Sequence, residues 1–277
     1  MEVTMQPVVD MGWLTTHRDD VVLVDIRWYL DGRSGRDAYD AGHAPGAIFI
    51  DLDKWLAGPA SPTRGRHPLP DPAAFARGMA AHGISDDSVV VAYDDVGGVI
   101  AARLVWLLRI TGHTAALLDG GLSAFRVDLE IGPGPPLRTG EFGVTEWPEQ
   151  RLATIDDAVD RSHVVLDARN RDRFEGTPDL VDPRFGHIPG ARSVPCRDNV
   201  DPDGRLKPKA ELRATFEAAG VRAGADVISY CGSGVTACHN LLTLEWVGLG
   251  LGRLYAGSWS QYSNDPVRPL ATGAMPG

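Results

Sequence analysis

A cysteine stands where an apolar strand-like run gives way to a helical pattern. The run at 228–230 ends at Cys231, and Gly232 and Gly234 follow at alternate positions before the helical pattern begins. A strand, a glycine-bearing loop and a helix N-terminus bring backbone N–H groups together, and the helix dipole adds positive potential there. Such a loop stabilises an anion, and the anion that a cysteine supplies is a nucleophilic thiolate. The sequence therefore predicts a cysteine enzyme with Cys231 as its nucleophile.

The elements that must position this cysteine occur twice in the chain. An apolar run that ends in Asp-x-Arg is found at 21–27 and again at 164–169, and a Gly-His-x-Pro-Gly-Ala turn at 42–47 and 186–191. Helical and strand-like patterns then alternate in each half. This repetition predicts an α/β protein with two tandem domains, each a mostly parallel sheet flanked by helices.

A stretch rich in proline and glycine separates the two copies, as is typical of a linker. We predict an N-terminal domain over residues 1–130, a linker over 131–150 and a C-terminal catalytic domain over 151–277. Aligning the halves on Tyr93 and Tyr230 places Asp94 where Cys231 stands in the second copy. The N-terminal domain is therefore expected to be non-catalytic and to form the other wall of a cleft.

Composition excludes several other classes of protein. A net charge of −10 over 277 residues argues against binding nucleic acid or an acidic membrane surface by bulk electrostatics. Three cysteines cannot form a closed disulfide framework, and neither a signal peptide nor a membrane-spanning run is recognisable. We expect a cytoplasmic protein without nucleic-acid or membrane partners. Cys231, Cys238 and His239 lack the spacing of a zinc site, so no metal is expected.

The doubled turn, together with Cys-Gly-Ser-Gly-Val-Thr-Ala at 231–237, resembles the tandem-domain rhodanese-type sulfurtransferases over nearly the whole chain. The resemblance implies two rhodanese-like domains and sulfur transfer through a persulfide on Cys231, without a cofactor. Members that use thiosulfate resemble Cys-Arg-Lys-Gly-Val-Thr, which sets two cations beside a dianion. Gly232 and Ser233 are neutral here, as in the 3-mercaptopyruvate sulfurtransferases. The resemblance thus favours 3-mercaptopyruvate as the sulfur donor, with thiosulfate as the alternative.

The same resemblance implies a set of site residues. Arg173 and Arg184 match arginines that bind the substrate carboxylate, for which bidentate guanidinium pairing is suited. Ser233, His67 and Asp53 match a proposed relay that serves the pyruvate enolate expelled during sulfur transfer. The loop residues expected to surround the transferred sulfur are Gly232, Gly234, Val235 and Thr236.

The expected partners are a small-molecule sulfur donor and an acceptor of the outer sulfur, which is a thiol, cyanide or thioredoxin. Two other functional classes compete with this interpretation. A cysteine phosphatase needs an arginine six residues after its cysteine, and this position is Ala237. A non-catalytic binding module fits the N-terminal half, where Asp94 replaces the cysteine, but does not fit the intact loop at Cys231.

Overall fold

The computed structural model describes residues 5–277, which form two compact units. The first unit comprises the chain up to Gly58, Pro70–Trp147 and Val200–Leu206, and the second comprises Pro59–Leu69, Pro148–Asn199 and Lys207–Gly277. Each unit therefore includes a short segment that the order of the chain would assign to the other half. The segment Pro59–Leu69 in the second unit carries His67, one of the predicted site residues.

The first unit is a five-stranded parallel sheet with helices between its strands. Its elements in chain order are β1 (Val8–Val9), α1 (Met11–Thr16), β2 (Val21–Asp25), α2 (Gly35–Ala41), β3 (Ile48–Phe49), α3 (Leu52–Trp55), α4 (Pro72–Ala81), β4 (Val89–Tyr93), α5 (Ala102–Ile110) and β5 (Thr114–Leu118). The spatial order of the strands is β1-β5-β4-β2-β3. The central strands β2 and β4 are continuous apolar runs, as expected for parallel strands that are covered on both faces.

The second unit repeats this plan with a four-stranded parallel sheet. Its elements are β6 (Val164–Asp167), α6 (Arg171–Glu175), β7 (Arg192–Ser193), α7 (Lys209–Ala218), β8 (Val227–Tyr230), α8 (Ala237–Trp246), β9 (Arg253–Leu254) and α9 (Ser258–Tyr262). The spatial order is β7-β6-β8-β9. The predicted α/β class, with parallel sheets flanked by helices, is confirmed. Five short 3-10 helices complete the described chain at Arg18–Asp20, Gly121–Ala124, Glu149–Arg151, Asp157–Val159 and Cys196–Asn199.

The repeated Asp-x-Arg motif ties each central strand to the repeated turn. In the second unit Arg169 Nε donates to Asp167, and its Nη2 donates to the carbonyl oxygen of Gly186 at 2.7 Å. Arg27 makes the same contacts with Asp25 and with the carbonyl oxygen of Gly42 in the first unit. These buried ion pairs fix the turn against the carboxyl end of the sheet, which is where the catalytic residues of parallel sheets are found.

A tyrosine at the end of each central strand is hydrogen-bonded to the same turn. The hydroxyl of Tyr93 accepts the N–H of Ala44, and the hydroxyl of Tyr230 accepts the N–H of Ile188. Both tyrosines are fully buried, and the next residue in each copy opens the strand-to-helix loop. The strand, tyrosine and turn that position Cys231 are thus equivalent to those that position Asp94. Within residues 5–277, no helix is both long and apolar enough to cross a membrane.

Candidate active site

The Cys231 loop is held as a tight turn between β8 and α8. Gly234 has a φ of 78°, and a Cβ atom there would lie 2.5 Å from the carbonyl oxygen of Ala256, so only glycine fits. This conformation directs the N–H of Gly234 to the sulfur of Cys231, at a donor-to-acceptor distance of 3.1 Å. Cys231 itself is buried, with 2 % of its surface exposed. The loop therefore supplies a backbone donor to the sulfur, as its sequence predicts.

Helix α9 fixes the loop from the opposite side by binding its carbonyl groups. Trp259 N–H donates to the carbonyl oxygen of Cys231 at 2.9 Å, and Ser260 N–H donates to that of Gly232 at 2.8 Å. The N–H of Cys231 donates to Ser258 Oγ at 3.1 Å. Ser258 has a φ of 54°, a left-handed conformation that is unfavourable for a serine. The contact of this strained serine with the backbone of Cys231 is not apparent from the sequence pattern.

The other predicted loop residues begin the helix. Thr236 is the N-cap residue of α8, and Val235 and Thr236 accept the N–H groups of Cys238 and His239. The first turn of α8 consequently starts within the loop, at the end of the helix that attracts anions. Cys238 Sγ donates to the carbonyl oxygen of Gly234, which assigns this second cysteine to the packing of the loop.

Ser233 and His67, which belong to the predicted relay, are in contact. His67 Nδ1 and Ser233 Oγ are hydrogen-bonded at 2.7 Å, and both side chains are buried. The segment Pro59–Leu69 brings His67 to the second unit, and Gly65 adopts a left-handed turn where a Cβ atom would lie 2.5 Å from the carbonyl oxygen of Gly257. Asp53 lies on α3 in the first unit, where it accepts the Nε1–H of Trp28 at 3.0 Å.

Arg173, the first predicted carboxylate-binding residue, lies beside the loop. It is in the last turn of α6, and a Cβ atom at Gly232 would be 3.5 Å from its Nη1 atom. Its other edge is bound to two carboxylates: Nε donates to Asp179 and Nη2 donates to Asp182, each at 2.6 Å. One edge of this guanidinium is thus held in place and the other faces the loop.

Arg66 is a second cation at the same place, and sequence reasoning missed it. Its Nη2 atom lies 3.0 Å from where a Cβ atom of Gly232 would be, while its Nη1 atom donates to Asp182. Its backbone N–H donates to Ser260 Oγ at 3.0 Å. The only signal in the sequence was its position directly before His67. Gly232 lacks a side chain, and this absence gives both arginines room beside the loop.

Arg184, the second predicted carboxylate-binding residue, is hydrogen-bonded to the C-terminal segment. Its Nη1 and Nη2 atoms donate to the backbone carbonyl oxygens of Asp265 and Arg268, at 2.6 and 2.8 Å. Its own carbonyl oxygen accepts the Nε1–H of Trp259. Arg184 therefore connects the C-terminal segment to α9, and Arg66 is the arginine that accompanies Arg173 at the loop.

The first unit carries a corresponding loop with an aspartate in place of the cysteine. The fully buried carboxylate of Asp94 accepts backbone N–H groups at 2.7–2.9 Å from Val96, Gly98, Ile100 and Ala101. Burial raises the pKa of Asp94, although these N–H donors act in the opposite direction. The loop of the first unit is therefore occupied by the protein's own carboxyl group. Among the described residues no group of His, Cys, Asp and Glu is arranged to hold a metal ion.

Similarity to characterised proteins agrees with this arrangement. The rhodanese-like domain family matches residues 11–128 and again residues 151–265. The chain is 43 % identical over 267 residues to the "Probable 3-mercaptopyruvate sulfurtransferase" of Pseudomonas aeruginosa, covering 92 % of this chain and 93 % of that protein. It is 38 % identical over 263 residues to SseB of Mycobacterium tuberculosis, provisionally named a thiosulfate sulfurtransferase, with 92 % of each chain covered.

A solved structure shows the same fold. The 3-mercaptopyruvate sulfurtransferase from Leishmania major superposes with a TM-score of 0.84 at 31 % identity, covering 93 % of this chain and 74 % of that one. The predicted family is thereby confirmed on sequence and on structure. With a rhodanese-like domain in each half and a cysteine in the loop of the second, this chain belongs to the rhodanese family and is a tandem-domain sulfurtransferase.

Proposed function

We propose that this sulfurtransferase takes its sulfur from 3-mercaptopyruvate and carries it as a persulfide on Cys231. The observation that carries the proposal is the pair of guanidinium edges, from Arg66 and Arg173, that face the loop at Gly232. A planar carboxylate is the ligand that such edges bind best. Similarity to proteins named for this activity supports the choice of donor.

In the first half-reaction the carboxylate of 3-mercaptopyruvate binds to Arg66 and Arg173. The Cys231 thiolate attacks the substrate sulfur, an S–S bond forms, and the C–S bond breaks with its electron pair left on carbon as pyruvate enolate. The enolate is protonated at carbon to give pyruvate. The hydrogen-bonded pair of Ser233 and His67 is suited to supply this proton, because a positioned histidine ring is a common general acid.

The persulfide is then held by the amides of the loop, from Gly232 to Thr236, together with the N-terminus of α8. An acceptor thiolate or cyanide attacks the outer sulfur, and the Cys231 thiolate leaves. We assign no resident cofactor to this cycle. Small thiols, cyanide and thioredoxin are all candidate acceptors, since each presents a nucleophile for the outer sulfur.

We further propose residues 1–130 as the non-catalytic domain, 131–150 as the linker and 151–277 as the catalytic domain, with a cytoplasmic location.

The test is to compare kcat/KM for 3-mercaptopyruvate and thiosulfate on the same preparation, with cyanide as the acceptor. A preference for 3-mercaptopyruvate is expected, and a clear preference for thiosulfate would refute the proposed donor. The Cys231→Ser variant should lose at least ~10³-fold in kcat/KM and show no added sulfur by intact mass. Cys196→Ala is the matched control and should retain both activity and persulfide. Full activity in Cys231→Ser would overturn the mechanism.

A further inference from the structure

One carboxylate holds both arginines that face the loop. Asp182 Oδ1 accepts Arg66 Nη1, and its Oδ2 accepts Arg173 Nη2 at 2.6 Å. Only 2 % of the Asp182 side chain is exposed, against 28 % for Arg66 and 18 % for Arg173. This bridge leaves Nη2 of Arg66 and Nη1 of Arg173 directed toward Gly232. Asp182 therefore decides which edge of each guanidinium an incoming anion meets.

The same contacts decide the charge of the pocket. Asp179 forms a second ion pair with Arg173, so two formal positive charges are balanced by two formal negative charges. Burial raises the pKa of Asp179, but the N–H groups of Val181 and Asp182 and the Arg173 guanidinium more than offset this, and the net shift is downward. The four side chains thus offer hydrogen-bond donors without an excess of positive charge.

The cluster borders an open cleft of about 320 Å³, lined among others by Ser61, Arg66, Asp182 and Asn264. Among the described residues, the buried Nε atom of Arg66 has no hydrogen-bond partner. An unpartnered buried donor is costly and marks a position where a ligand acceptor would be stabilised. A small anion entering this cleft would therefore find donors from Arg66 but would also lie close to the Asp182 carboxylate.

We infer that Asp182 is a positioning residue that selects the sulfur donor by charge, an inference that rests on the proposed function. It orients Arg66 and Arg173 for the single carboxylate of 3-mercaptopyruvate, and it repels the second negative charge of a dianion such as thiosulfate. Repulsion acts more strongly on the dianion because the Coulomb energy scales with the charge of the ligand. The selectivity that other rhodaneses set through loop cations is set here by a carboxylate outside the loop.

The test is Asp182→Asn, which removes the charge and keeps a planar group of the same size. The ratio of kcat/KM for thiosulfate to kcat/KM for 3-mercaptopyruvate should rise about tenfold, because one charge next to the ligand has been removed. Asp179→Asn is the matched control, because Asp179 pairs with Arg173 alone and is more exposed, and its ratio should shift less. An unchanged ratio in Asp182→Asn, even with both activities lowered, would mean a structural role only and would overturn the inference.

A second measurement uses the unaltered protein, so it does not depend on the variant folding. Methanesulfonate and sulfate have similar size but carry one and two charges, and each is assayed as a competitive inhibitor of 3-mercaptopyruvate turnover. Methanesulfonate should bind more tightly, and tighter binding of sulfate would overturn the inference. The two proposals fail separately. Absence of 3-mercaptopyruvate turnover refutes the proposed function, whereas normal turnover with sulfate as the better inhibitor refutes only the role of Asp182.

Discussion

Two loops in equivalent positions of the two units direct backbone N–H groups at different side chains. In the first unit four backbone N–H groups bind the carboxylate of Asp94, which is part of the protein. In the second unit the N–H of Gly234 is directed at the sulfur of Cys231. A carboxylate oxygen lies two bonds beyond Cβ, as does the outer sulfur of a cysteine persulfide. The first loop thus shows, with a permanent carboxylate, the kind of group that we propose the second loop holds transiently.

The difference between the loops extends to the residue that supports them. The main-chain carbonyl of Asp94 accepts the N–H of Leu122, and that of Cys231 accepts the N–H of Trp259. The residue before each donor has a left-handed φ, 51° at Gly121 and 54° at Ser258. Only the serine adds a hydroxyl, which binds the N–H of Cys231. The left-handed conformation is thus unfavourable at Ser258, in the unit that carries the cysteine, and is readily adopted by Gly121 in the other unit.

The largest expected effect concerns the reactivity of the thiols. Cys196 and Cys231 are equally buried, each with 2 % of its surface exposed, but burial raises the pKa of Cys196 to about 12. The Cys196 thiol should therefore stay protonated at pH 8, with a labelling rate that climbs as the pH approaches 12. Iodoacetamide should modify Cys231 at least ~10³-fold faster than Cys196, as measured by peptide mass spectrometry. Equal rates would show that loop position does not activate the cysteine; labelling in urea is the control.

Replacing the aspartate of the first loop should affect stability more than replacing the cysteine of the second. Asp94→Ala leaves four buried N–H groups without their acceptor, so the free energy of unfolding should fall by about 3 kcal/mol. Urea denaturation measures this, and the neighbouring exposed Asp95→Ala is the control, with an expected loss below ~1 kcal/mol. Cys231→Ser should be similarly mild. A stable Asp94→Ala protein would remove the structural role that we assign to the first loop.

Removing the hydroxyl next to His67 should slow the chemistry while leaving the fold intact. Ser233→Ala should lower kcat about 10²-fold with little change in KM, because proton delivery to the enolate is impaired and carboxylate binding is not. Val96 occupies the corresponding position of the first loop, two residues after Asp94, so Val96→Ala is the matched control and should leave kcat unchanged. An equal loss in both variants, or a change confined to KM in Ser233→Ala, would argue against the relay.

The smallest effect should come from the strained serine. Ser258→Gly and Ser258→Ala both remove the hydrogen bond to Cys231, but only glycine also relieves the left-handed backbone. The glycine variant should therefore be more stable than the alanine variant by about 1 kcal/mol. Thermal or urea unfolding of the two variants measures the difference directly. The reverse order would show that the backbone of Ser258 is not strained.

The sequence by itself determined the repeated architecture and indicated the nucleophile that we propose. Apolar runs, Asp-x-Arg ends and glycine turns depend on neighbours within a few residues, so their physical consequences can be inferred from local pattern alone. The α/β class and the placement of Cys231 and Asp94 after equivalent strands follow from such patterns. Helix α4 begins at Pro72, directly after its N-cap residue Asp71, and an aspartate followed by proline is such a local signal.

Only the tertiary structure decided how the site is completed. Arg66 reaches Gly232 because the segment Pro59–Leu69 folds onto the second unit, a packing that no pattern along the chain could indicate. Arg184 is of the residue type expected to bind a carboxylate, but its guanidinium donates hydrogen bonds to backbone carbonyl groups. The charge of the pocket likewise depends on Asp182 lying between two arginines that are distant in sequence. Electrostatic environment is a property of spatial neighbours, and these are fixed only when the chain has folded.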